Sequence, residues 1–158
     1  VRDFSTDPIP HLDGERVGAF FTPADQRSDD QQAVDAFSMA LIDELKTADH
    51  IVLGLPMYNF GIPSQLKSWI DHVARAGITF RYTANGPQGL LDDKPVTVLA
   101  ARGGLYAGTE NDTVTPYIKL FFGFIGMTDV NFVYAEGLNM GDETKEKAMS
   151  EAQAALAG

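Results

Sequence analysis

Cysteine does not occur anywhere in the chain. Its absence excludes a disulfide framework, a thiolate metal site and a thiol nucleophile, and it fits a cytoplasmic protein. Long apolar runs are missing too. None approaches the roughly 20 residues that cross a bilayer, and no charged start followed by an apolar core marks a signal peptide, so no membrane partner is expected. Positive charge is scarce, with 12 Lys and Arg against 22 Asp and Glu and a net charge of −10. The basic residues are scattered, and a field of this sign repels a phosphate backbone, which argues against nucleic acid. Acidity of this kind serves solubility. The three histidines, His11, His50 and His72, lack metal-ligand spacing, so no metal site is expected. Neither a Gly-x-Gly-x-x-Gly nor a Walker signature occurs. Internal repeats, heptad runs and low-complexity tracts are also missing.

What is present suits one globular domain, residues 1–158. A chain of this size buries roughly 70% of its unfolded surface, and 44% hydrophobic with 22% charged residues is near the globular average. Residue 1 is Val, and Val1-Arg2-Asp3 reads like a strand tail entering a loop, as if the sequence began inside a longer protein. Pro8, Pro10, Gly14, Gly18 and Pro23 mark residues 4–27 as a long loop. Ser28-Asp29-Asp30 supplies an N-cap and acidic first turn. Val34, Phe37, Leu41, Leu45 and Ala48 follow at helical spacing. The run Ile51-Val52-Leu53-Gly54-Leu55 suits an interior parallel strand covered on both faces. Ser64 is expected to cap a second helix with Leu66, Trp69, Ile70 and Val73 inward, and His72 on that helix reads as a surface or satisfied residue. A loop is expected over 76–93, a strand over 95–101, a helix over 113–123 and a strand over 130–135. A final helix over 144–156 would turn Ala148, Ala152, Ala155 and Leu156 inward. Helices alternating with apolar strands predict an α/β fold with a parallel sheet.

In such sheets ligands bind beyond the carboxyl ends of the strands. Two loops leave carboxyl ends: 56–63 and 102–112. Pro56-Met57-Tyr58-Asn59-Phe60-Gly61 mixes aromatics and Met with an amide and a glycine, as a planar heterocycle requires. Alternatively, Met57, Tyr58 and Phe60 simply plug the end of the core. In Arg102-Gly103-Gly104 the paired glycines let backbone N–H groups approach a ligand, although an ordinary Gly-Gly turn reads the same way. Ser64 lacks the surroundings of a nucleophile elbow.

These segments, together with Ala74-Arg75-Ala76-Gly77, Thr79-Phe80-Arg81-Tyr82-Thr83, Asn85-Gly86-Pro87, Val114-Thr115-Pro116-Tyr117 and Gly123-Phe124-Ile125-Gly126, resemble the bacterial FMN-dependent NADH azoreductases and the related NAD(P)H:quinone reductases. The likeness runs over nearly the whole chain with the motifs in the same order. It implies a flavodoxin-like three-layer parallel sheet, non-covalent FMN, NADH or NADPH as co-substrate, quinones and aromatic azo compounds as acceptors, and a homodimer with active sites at the interface. It places Pro56, Met57, Tyr58, Asn59 and Phe60 along the flavin ring, and Arg102, Gly103 and Gly104 at its pyrimidine end. Donors there would favour negative charge on the reduced ring. Tyr82 and Phe124 would frame the substrate slot, or pack in the core or dimer interface.

Tyr106 is the catalytic candidate. Several relatives carry His at that place, and a phenol of ordinary pKa near 10 is a poor proton shuttle at neutral pH, so Tyr106 either aids proton delivery or only shapes the slot. The resemblance also implies a first βα unit, with a Ser-rich phosphate loop at a helix start, that is not among these residues. That strand is central in the sheet order. Two other readings stay open: a flavodoxin-type electron carrier, and a piece that holds no FMN and is inactive as written.

Overall fold

The computed structural model describes residues 1–157. Helix α2 (Asp29–Thr47) starts at a capping box. Ser28 Oγ accepts from the Gln31 N–H, and Gln31 Oε1 accepts from the Ser28 N–H, which satisfies donors that a helix start leaves unpaired. At the other end Lys94 Nζ donates to the carbonyls of Leu45, Lys46 and Ala48, placing a cation on the negative end of the helix dipole. Leu41 and Leu45 are buried, as the stripe predicts, and so is Ile42, which the stripe leaves out, whereas Val34, Phe37 and Ala48 are half-buried.

Three parallel strands form the main sheet in the order β1 (Ile51–Pro56), β4 (Val96–Ala101), β5 (Val130–Ala135). Ile51 pairs with Val96 and Val96 with Val130; Pro56 pairs with Ala101 and Ala101 with Ala135. All three carboxyl ends are therefore level, and three loops leave from one line. On β4 the alternating Val96, Val98 and Ala100 are buried, one face of the pleat. They join a core with Leu66 and Ile70 of α3 (Ser64–Val73) and Ile118 and Phe122 of α4 (Val114–Ile125). Helix α5 (Asp142–Ala157) lies against β5.

Several expectations need correction. β1 is not covered on both faces: it is an edge strand in this sheet, with Val52 62% exposed and Gly54 exposed. The expected loop at 4–27 contains α1 (Gly14–Phe21), capped by Asp13 Oδ1 on the Arg16 N–H, and a 3-10 turn at Ala24–Gln26. Two glycines in eight residues weaken local helix propensity, and packing against α2 supplies what the local sequence lacks. The loop at 76–93 contains an antiparallel hairpin of β2 (Phe80–Thr83) and β3 (Gly86–Gly89). Ser64 caps nothing: Pro63 holds the N-cap position, and the Ser64 hydroxyl faces Gln65 Oε1. Helix α4 runs past Gly123 and stops at Gly126, whose φ of 114° lets its N–H turn back to the Phe122 and Gly123 carbonyls. The inner face of α5 is only partly covered, with Ala148 and Ala152 half-buried and Ala155 and Leu156 exposed. No helix among the described residues is long and apolar enough to cross a membrane.

His72 is neither at the surface nor satisfied. It is fully buried, between the ring edges of Phe20 and Phe37 at centroid distances of 6.2 and 5.5 Å. Nδ1 faces the Ser68 carbonyl at 2.9 Å. A carbonyl only accepts, so Nδ1 carries the proton and Nε2 is a bare acceptor, without a partner among the described residues. Burial pushes the His72 pKa down, with Arg16 and Arg75 acting the same way, while the Ser68 carbonyl and Asp71 oppose the shift. A histidine whose folded pKa is lowered takes up its proton more readily when unfolded. Stability is then full above the ordinary value near 6.5 and falls as pH drops through it, by at most about 1.4 kcal/mol per pH unit. Urea titrations across that range should show this fall in the wild type and a flatter profile in His72→Phe. An unchanged slope would remove His72 as its cause.

Candidate functional site

The first strand-end loop stays beside the sheet because the Met57 N–H donates to the Ala101 carbonyl at 3.2 Å. Tyr58 and Gly61 then exchange both backbone hydrogen bonds at 2.9 Å. Between them Asn59 and Phe60 have φ of 49° and 63°, which makes a type I′ turn. Asn tolerates this region, but a phenylalanine there costs roughly 1–2 kcal/mol. Thr113 Oγ1, at the start of α4, donates to the Phe60 carbonyl and helps hold the strained residue. The turn does not plug the core: Met57 packs against it, whereas Tyr58 and Phe60 are 60% and 55% exposed.

The second loop is braced by a third, Glu136–Met140, which leaves β5. The N–H groups of Gly137, Leu138 and Asn139 donate to the carbonyls of Gly104, Arg102 and Gly103 at 3.0–3.1 Å. The Arg102 side chain is 1% exposed. Its guanidinium meets Asp112 Oδ1 and Thr115 Oγ1 at 3.0 Å and Glu136 Oε1 at 3.1 Å, and it lies 5.0 Å over the Tyr134 ring. That side chain is fully engaged within the protein, and the Arg102 N–H and carbonyl are taken by Ala135 and Leu138, so Arg102 offers the strand-end space no free group. Asp112 Oδ1 also accepts from the Thr115 N–H at 3.0 Å. Burial pushes the Asp112 carboxyl up, but hydrogen bonds from Arg102 and Thr115 outweigh it and hold the group below the usual carboxylate range.

Each glycine of the pair makes room for a neighbour. A Cβ on Gly103 would lie 2.5 Å from Asn139 Nδ2, and one on Gly104 would lie 3.0 Å from Tyr106 Oη. The Tyr106 ring thus lies over Gly104, and it meets Phe60 edge-on at 5.8 Å, which bridges the first two loops. The N–H groups of Asn59, Phe60, Gly103 and Gly104 have no acceptor among the described residues. Aromatic walls beside free backbone donors suit a planar heterocycle with one polar edge. A cleft of about 590 Å³ opens beside this turn, lined by His11, Gly61, Ile62, Thr113 and Tyr117. No cluster of His, Cys, Asp or Glu among the described residues could hold a metal ion.

The structure brings Pro56, Met57, Tyr58, Asn59, Phe60, Gly103, Gly104 and Tyr106 to one sheet edge. Tyr82 and Phe124 stand elsewhere. Phe124 packs at 4.2 Å on Phe80, which meets Tyr82 at 5.6 Å. Phe124 follows Val114 by ten residues on α4, about 15 Å along the axis, and it is the start of α4 that touches Phe60. Glu136, Asp112, Thr113 and Asn139 are not singled out by the sequence, and Thr115 enters there only as part of a motif, without a role. For Glu136 a signal existed, since it directly follows the third strand, to which the strand-end rule applies equally.

Residues 1–158 match the family model described as a flavodoxin-like fold. The chain belongs to this flavodoxin-like family. Within it, an FMN-dependent NADH:quinone oxidoreductase of Alcanivorax borkumensis is 82% identical over 156 residues, 99% of this chain and 79% of that protein. The FMN-dependent NADH:quinone oxidoreductase 6 of Burkholderia lata is 59% identical over 157 residues, with the same two coverages, 99% and 79%. Among solved structures, an FMN-dependent NADH-azoreductase from Bacillus anthracis in complex with FMN has a TM-score of 0.86 at 29% identity, over 99% of this chain and 78% of that one. The sequence resemblance thus named the right family.

Two substitutions probe the scaffold of the site. Phe60→Asn relieves the strained backbone and should raise stability by about 1 kcal/mol in urea titrations, although it deletes a large aromatic. A loss of stability would show that the turn is not strained there. Asp112→Ala leaves the Arg102 charge buried with one carboxylate fewer and should cost about 3 kcal/mol by the same measurement; a cost near zero would mean that the pair is replaceable.

Proposed function

We propose that this chain is an FMN-dependent oxidoreductase that passes electrons from NADH to quinones and also reduces aromatic azo compounds. The observation that carries this reading is the pair of level strand-end loops, where Phe60 and Tyr106 meet beside four free backbone donors. These residues fit the ring of FMN. Asn59 and its N–H, with those of Phe60, Gly103 and Gly104, would hold the polar edge, and Tyr58, Phe60 and Met57 the apolar faces. When bound, FMN supplies reversible two-electron transfer. The protein's own share is electrostatic and steric. The preset N–H groups favour negative charge on the polar edge of the ring, and the aromatic walls keep the donor and then the acceptor flat in one cleft. A wall built from flat surfaces discriminates weakly among planar acceptors. Tyr106 would act mainly by shaping that cleft.

Tyr82 and Phe124 enter this reading through a second copy. Phe124 stands about 15 Å along α4 from the ring loop of its own chain, with Tyr82 beside it through Phe80, and Tyr82 and Leu120 are 75% and 73% exposed. A homodimer that pairs the α4 faces of two copies would bring these aromatics to the partner's cleft. The lack of cysteine accords with a reducing, cytoplasmic setting.

The test is steady-state oxidation of NADH by the purified protein with FMN and menadione, alongside light scattering for mass. Sustained turnover supports the enzyme reading, whereas FMN binding without turnover would favour an electron carrier. Asn59→Ala should raise the Kd for FMN about 2- to 10-fold, the range of one hydrogen bond. Tyr82→Ala and Phe124→Ala should alter the KM ratio between quinone and azo acceptors in a dimeric enzyme. Unchanged flavin affinity and kinetics in all three variants would overturn the site.

A further inference from the structure

Glu136 carries no role in the reading above, yet its Oε1 alone accepts three hydrogen bonds at the sheet edge. We propose that Glu136 is the positioning residue for Tyr106, and so sets the outer wall of the acceptor cleft. Its Oε1 accepts from the Tyr106 N–H at 2.9 Å, the Ala107 N–H at 2.9 Å and Arg102 Nη1 at 3.1 Å. The side chain is 14% exposed, so these bonds are partly shielded from water. Two consecutive N–H groups aimed at one anionic oxygen form a nest, and hydrogen bonds to an ionised acceptor are the stronger kind.

The third loop braces residues 102–104 of this loop, but beyond Gly104 the backbone around Tyr106 has little else to hold it. Neither Tyr106 nor Ala107 donates its N–H to any other described residue, and the Leu105 N–H has no acceptor among them. The Tyr106 carbonyl receives only Thr109, through its N–H and its hydroxyl, a contact inside the same loop. Glu136, by contrast, directly follows β5, with Ala135 in register with Ala101 and Pro56. The carboxylate therefore transmits the register of the sheet to the Tyr106 backbone, and the ring then lies over Gly104 against Phe60. Arg102 holds the carboxylate in place from the other side, and is itself fixed by Asp112 and Thr115.

This inference rests on the reading that Tyr106 walls the acceptor cleft, and it is tested first without flavin or substrate. In flavin-free wild-type protein, amide hydrogen exchange at Tyr106 and Ala107 should be at least about 10-fold slower than at Leu105. Equal exchange at the three would overturn the proposal, and this arm needs no variant to fold. Glu136→Ala should erase that protection. In the FMN-loaded enzyme it should raise the KM for menadione about 5- to 10-fold, while kcat stays within about 2-fold. Glu136→Gln keeps an amide oxygen for both N–H groups and should restore both readouts to within about 2-fold of wild type. Glu136→Ala placed in a Tyr106→Ala background should add nothing further to KM, since the two act as one unit. Additive effects, or failure of the glutamine variant to rescue, would overturn the role. If wild-type protein with FMN never oxidises NADH, the functional reading falls, and the exchange arm still decides what Glu136 holds.

Discussion

A single buried guanidinium, that of Arg102, joins the end of β4 to the loop after β5 through Glu136 and to the start of α4 through Asp112 and Thr115. Thr113, on the same helix start, then reaches the Phe60 carbonyl in the loop after β1. The three strand-end loops and one helix start are thus tied together around one cation. Removing such a charge from water costs several kcal/mol. Two carboxylates, a hydroxyl and the face of Tyr134 offset that cost. The net gain in stability from such a cluster is small, but its geometry is strict, because a guanidinium bonds only in the plane of its N–H groups. The cluster serves shape more than stability.

The same region holds the strained part of the chain. Two successive residues in left-handed conformation, one of them Phe60, keep Tyr58 and Phe60 out in solvent when a relaxed turn would let them fold back. Backbone strain of this kind persists only where its surroundings over-determine it. Here the reciprocal bonds of Tyr58 and Gly61 and the Thr113 hydroxyl do so. Rigid strand ends beneath and a strained turn above preset the shape of this surface.

Helix α4 connects this surface to a second aromatic group. Its start touches the ring loop, and its end carries Phe124 beside Phe80 and Tyr82. A straight helix of 12 residues keeps its two ends apart, so the aromatic group at its end stands away from the ring loop at its start. Leu120, between the two ends, is exposed.

The three strands of the parallel sheet, the capped helix and the two glycine- and aromatic-rich loops were legible in the sequence because each is a local pattern. The strand at 130–135 was read with its observed ends, and Ser28 announced α2 by its own chemistry. α1 and the β2–β3 hairpin were not legible, since short elements with glycines are stabilised by what they pack against. His72 reads as a polar residue on an amphipathic helix, and only the approach of Phe20 and Phe37 from α1 and α2 seals it in. The sequence alone determined the family, the α/β alternation and which loops carry aromatic and donor groups, because period, turn residues and motif order are written along the chain. The tertiary structure alone decided that Arg102 faces inward, that Glu136 meets Tyr106 thirty residues away, and that Phe124 packs on Phe80 away from the strand-end loops. Those outcomes depend on strand register and helix length, which bring together residues that no local pattern relates.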